Sequence, residues 1–117
     1  MSAWARALLL LGCLVLPAAA AAQDRGQARC QVTGPLVISA YSAFLSEVVG
    51  QDRFAAARQA QNVASQITLY DALGCPVPAL QDAIECLTAK LLAAGGAEPV
   101  TARDAETCMR EAGMPVR

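Results

Sequence analysis

Apolar positions fall into five blocks along this chain, and the spacing in the last four predicts helices. The block over 35–49 holds Leu36, Val37, Ile38, Tyr41, Phe44, Leu45, Val48 and Val49, so it is apolar nearly all round. Its polar positions are small: Ser39, Ser42 and Ser46. A helix of that kind is central to a bundle or covered by a partner. Thr33-Gly34-Pro35 reads as its entrance and Gly50 as its stop. The block over 52–73 opens on Asp52, a good cap, and closes at Gly74. Ala56, Ala60, Val63, Ile67 and Tyr70 recur in it at steps of four and three, one face of a helix. That seam spans barely two heptads, which suits packing within the molecule better than a zipper.

The third helical block, 78–94, is striped by Leu80, Ile84, Leu87 and Leu91, with Pro78 in its first turn and Gly95-Gly96 at its exit. The fourth, 102–112, starts at Thr101, and Asp104 sits where a capping box needs an acceptor. Ala105, Cys108, Met109 and Ala112 form its inner face, and Gly113 and Pro115 end it. The polar stretch Gln23–Arg29 shows no periodicity and reads as a loose leader tied down at Cys30.

The first block is of another kind. Arg6 precedes an apolar run over 7–16, Pro17 breaks it, and Ala20 and Ala22 frame a small-residue cleavage site. That is the layout of a secretory signal peptide, 1–22. At 16 residues interrupted by a proline, 7–22 is short of the ~20 that a spanning helix wants. Removing 22 of the 117 residues leaves 95, Gln23–Arg117, enough for one helical domain. Leu10-Leu11-Gly12-Cys13 resembles a bacterial lipobox; that resemblance would make Cys13 a lipid anchor, against the plainer reading of a cysteine inside the apolar run.

Composition supports an all-α fold: Ala, Leu and Gln abound and β-branched residues are sparse. Net charge is −1 with no basic block, so nothing here would hold a nucleic-acid backbone. There is no His, which removes the commonest general base and metal ligand together.

Cys30, Cys75, Cys86 and Cys108 lie beyond the signal segment. An even number in an exported chain predicts two disulfides. Cys75 with Cys86 is disfavoured, because the helix between them holds them ~15 Å apart while a disulfide needs Cα atoms within about 7 Å. In an up-down bundle Cys86 and Cys108 sit at nearly matching depths on either side of the 95–100 loop. Cys30 and Cys75 meet at the other end. That favours Cys30–Cys75 and Cys86–Cys108; Cys30–Cys86 with Cys75–Cys108 is the alternative. The chain-entropy model assigns roughly 4 and roughly 3 kcal/mol to the two favoured loops.

Catalytic and metal chemistry find little to work with. A Ser/His/Asp or Cys/His site is impossible without His. No two cysteines have the close spacing of a redox or zinc pair. Asp82 and Glu85 share a helix face, but with no third ligand they read as a solvated face. No cofactor is called for. The expected fold is a small disulfide-stapled bundle of four helices after a signal peptide. The expected function is non-enzymatic: an exported, periplasmic or secreted protein that acts by binding another exported protein as adaptor, inhibitor or immunity-type partner, or by self-association through 35–49. The alternative is a carrier holding a small apolar ligand between helices one and two, where Ala55, Ala56, Ala57, Ala60 and Ala64 leave room.

Overall fold

The computed structural model describes residues 2–114, with side chains described from Arg25 onward. The signal segment 1–22 and Cys13 therefore lie outside the described side chains, as does the tail 115–117. Four helices make up the fold: α1 (Ser2–Val49), α2 (Arg53–Ala72), α3 (Val77–Ala93) and α4 (Ala102–Glu111). There is no strand among the described residues. α1 packs chiefly along α2, and α3 chiefly along α4. One disulfide joins Cys30 to Cys75 and another joins Cys86 to Cys108, each with Cα atoms 5.6 Å apart. Each antiparallel helix pair thus carries one staple. Two disulfides in so small a chain point to an oxidising compartment.

Each helix ends in the same hydrogen-bonded device. At the end of α2 the Gly74 N–H donates to the Asp71 carbonyl at 2.9 Å, and the Cys75 N–H donates to the Tyr70 carbonyl at 3.1 Å. This is a Schellman motif, and it needs a left-handed residue after the cap. Gly74, Gly95 and Gly113 supply that conformation after α2, α3 and α4. After α1 the device is shifted by one residue from the predicted stop. Gly50 is only the cap, and Gln51 takes the left-handed position with φ 59°. The Asp52 N–H then donates back to the Glu47 carbonyl at 3.1 Å. At the end of α2 the same geometry sets Cys75 down directly against Cys30.

The starts also follow local chemistry. Asp52 caps α2 through its side chain, which accepts from the Ala55 N–H at 3.0 Å. Thr101 and Asp104 close a reciprocal capping box on α4. Pro76 is the cap of α3, so that helix starts at Val77 and Pro78 lies inside its first turn.

The beginning of α1 differs from the expectation. The leader 23–29 is helical rather than loose, and Thr33-Gly34-Pro35 is passed through rather than being an entrance. Gln27, Ala28, Arg29 and Gln31 are good helix formers, and Cys30 is anchored to Cys75 in the core. Pro35 removes one backbone donor to the preceding turn. Thr33, buried, turns its hydroxyl onto the Arg29 carbonyl at 2.7 Å. Gly34 has a packing role: a Cβ there would lie 2.9 Å from Met114 Cε and 3.4 Å from Tyr70 Cε2. α1 crosses Tyr70 and the end of α4 at this point, and the small residue allows it.

One core cluster unites both pairs. Val37, Ile38, Tyr70, Leu80, Leu87 and Cys108 are its largest fully buried side chains. Two stripe positions need correcting. On α2 the expected Ala60 is exposed and Ala55 is buried instead; on α3 Ala83 is fully buried while Ile84 is only partly so. Steps of 3.5 drift from the true helical period, so a stripe read by eye leans off the buried face within a few turns.

Candidate functional site

The four cysteines that stood out in the sequence lie in two places and act as closed staples. Cys30, Cys75 and Cys108 are buried, and Cys86 is half-buried. No free thiol remains among the side chains described from Arg25 onward. Asp82 and Glu85 both lie exposed on α3. No group of three His, Cys, Asp or Glu residues able to hold a metal occurs among the described residues.

The two tyrosines are placed differently. The Tyr41 hydroxyl lies 2.6 Å from Thr88 Oγ1, across the α1–α3 contact. Tyr70 is fully buried, and its hydroxyl has no hydrogen-bond partner among the described residues. Burial raises the Tyr70 pKa above its ordinary value, because the charged phenolate would lose its water. Asp104 moves the other way: the Thr101 backbone N–H, then the Thr101 hydroxyl, favour its charged form and lower its pKa.

The serines of the 35–49 block are not a prepared site. Ser42 Oγ donates to the Ile38 carbonyl at 2.9 Å and Ser46 Oγ to the Ser42 carbonyl at 3.0 Å, so both are spent on their own helix. Of the five alanines named for a ligand cavity, Ala57, Ala60 and Ala64 are exposed, Ala55 is buried and Ala56 is half-buried. An open groove of about 330 Å³ lies between α1 and α4 instead, lined by Pro35, Ile38, Ser39, Ser42, Val100, Thr101, Ala102, Ala105 and Met109.

The α1–α2 pair does carry exposed large apolar side chains. Val32, Leu36 and Leu69 keep 49%, 53% and 48% of their surface exposed, close to half for large apolar side chains. Leu36 lies six residues after Cys30 and Leu69 six before Cys75. Cys75 stands beyond the turn that ends α2 at Ala72, so both leucines lie near the stapled end of the pair. Val32 and Leu73 share the wall of an open cleft of about 370 Å³ with Ala28, Arg29 and Thr33. Phe54 at the start of α2 and Leu92 at the end of α3 are exposed at the opposite end. Sequence reasoning pointed to the apolar character of 35–49 but missed Val32 and Leu69. Their signal was present: Val32 and Leu36 are four apart, and that line lies off the one carrying Val37, Ile38 and Leu45.

The stretch Arg25–Val49 is also long and apolar enough to cross a membrane by length and composition. The core helix of a water-soluble bundle meets the same criterion, and Val37, Ile38 and Leu45 are committed to the core here. No protein-family model, curated protein or solved structure matches the chain.

Proposed function

We propose that this is an exported protein, periplasmic or secreted, that has no catalytic machinery and works by binding another exported protein. It serves as an adaptor, inhibitor or immunity-type partner. The observation that carries the reading is the half-exposed set Val32, Leu36 and Leu69 on the α1–α2 pair. Where such side chains merge into one apolar patch, they mark an interaction surface. Helix α1 contributes Val37 and Ile38 inward and Val32 and Leu36 outward, so one helix both holds the core and offers a contact face. The two staples keep that face rigid, which lowers the entropy lost on binding.

The test is site-specific photo-crosslinking in the producing cell. A photoreactive residue replaces Leu36, and a control replaces exposed Gln81 on α3. The expected outcome is an adduct with another exported protein from position 36 and none from position 81. An adduct with only a second copy of the chain would identify self-association through α1 instead. No adduct at position 36 would sink the reading.

A further inference from the structure

We infer that an exposed flank of α2 is a self-association face that pairs antiparallel with α2 of a second copy. Arg53 and Asp71 are eighteen residues apart, five full turns, so they lie on one line along the helix, ~27 Å from each other. Ala57, Ala60 and Ala64 lie within about 40° of that line between them, and all five residues are exposed. The buried Val63 and Tyr70 lie about 80–100° round the helix from that line, against the core, so the line flanks the core-facing side.

The charges at the two ends are the reason for the pairing. A helix favours acidic residues in its first turn and basic ones in its last, because of its macrodipole. Helix α2 has the reverse: Arg53 opens it and Asp71 stands one residue from its end, with no acidic residue in the first turn and no basic residue in the last. The Asp52 cap is already engaged with the Ala55 N–H. Neither Arg53 nor Asp71 forms a salt bridge among the described residues. An antiparallel two-fold centred at position 62 corrects both placements at once. Arg53 of each copy meets Asp71 of the other, and Ala60 of each meets Ala64 of the other. Small side chains let the two backbones come close. The interface repeats itself under the two-fold, as a closed homodimer requires. Exposed ion pairs contribute little each and alanines bury little apolar surface, so association is weak and concentration-dependent.

This inference is independent of the hetero-partner assigned to the α1 face, which the Leu36 crosslink tests separately. The test here is sedimentation equilibrium of the disulfide-bonded protein at low salt, over micromolar to millimolar chain, for the wild type, Arg53→Asp and Asp71→Arg. Each single charge reversal suits the helix dipole better than the native residue, so loss of dimer is not loss of fold; circular dichroism confirms that. The wild type is expected to dimerise with rising concentration and less so at high salt. Each variant alone sets like charges against each other and loses at least tenfold in association. An equimolar mixture of the two variants regains the dimer, because each copy then supplies the charge the other lacks. A wild type that stays monomeric at millimolar concentration overturns the inference. So does a dimer that survives both reversals, or one that the mixture fails to restore.

Discussion

The hydroxyls of Tyr41 and Thr88 lie 2.6 Å apart, and the direction of their hydrogen bond can be assigned. Thr88 Oγ1 already donates its single proton to the Ile84 carbonyl at 2.9 Å. Tyr41 therefore donates to Thr88. The relay runs from α1 through a side chain of α3 to the backbone of α3, and it ties the two stapled pairs together. Tyr41→Phe should cost about 1 kcal/mol, the usual net worth of such a bond. Thr88→Val should cost at least as much, since it leaves the Tyr41 donor without its acceptor in a half-buried place. Urea denaturation of the two single variants and the double variant checks this. The double should cost clearly less than the sum of the singles, because both lose one bond.

Tyr70 should behave in the opposite way. Its hydroxyl is fully buried with no partner, so it bears the desolvation cost of a polar group without a compensating bond. Tyr70→Phe should leave stability unchanged or raise it by up to about 1 kcal/mol. The same residue predicts an alkaline limit. Burial raises its folded pKa above the ordinary 10.0. The folded state then holds the phenolic proton at pH values where the unfolded chain has released it. The Tyr70 contribution is fully present below pH 10 and is lost as pH rises through the folded value. Melting temperatures of wild type and Tyr70→Phe across pH 9–11 should diverge, the wild type falling more steeply.

At acid pH the responsive group is Asp104. The Thr101 backbone N–H at 3.0 Å lowers its pKa below the ordinary 3.8, with the Thr101 hydroxyl adding to the effect. A lowered carboxylate pKa means the unfolded state takes up the proton first as pH falls. The stability is therefore present above about pH 4 and disappears as pH drops through the folded value. Asp104→Asn should flatten that part of the acid melting profile and leave the alkaline part unchanged. Thr101→Ala removes the hydroxyl that accepts from the Asp104 N–H and should cost about 1 kcal/mol at neutral pH.

Much of this architecture was legible from local signals. Gly74, Gly95 and Gly113 marked helix ends, because a Schellman motif wants a residue without a Cβ at its left-handed position. Asp52 and Thr101 marked starts, because their side chains accept from the orphan amides of a first turn. The depths of Cys86 and Cys108 could be counted from the loop between their helices. What escaped depends on tertiary neighbours. Thr33-Gly34-Pro35 has the composition of an entrance, yet Gly34 is small because Met114 and Tyr70 press on it from α4 and α2. Ala83 is fully buried, and only the third dimension distinguishes it from the solvent-facing Ala60. The α1–α2 contact face was half legible. Leu36 belonged to an apolar helix, but Leu69 joins it only through the antiparallel register that the Cys30–Cys75 bridge imposes.

Gln51 offers the most direct gain in stability. It holds φ 59° immediately after Gly50, in a motif whose other three examples use glycine. A side chain in the left-handed region costs roughly 1–2 kcal/mol through the clash of its Cβ with the backbone. Glycine avoids that cost but gives up some of the gain, because it loses more freedom on folding. Gln51→Gly should therefore stabilise by about 1 kcal/mol, or roughly 4–8 °C in melting temperature for a domain of this size. Asn, which tolerates this region better than most residues, should fall between Gln and Gly. Val, branched at Cβ, should fall below the wild type. The order Gly, Asn, Gln, Val in a thermal melt series would place the strain at this residue. A Gly variant no more stable than the wild type would show that the turn relaxes around Gln51 without cost.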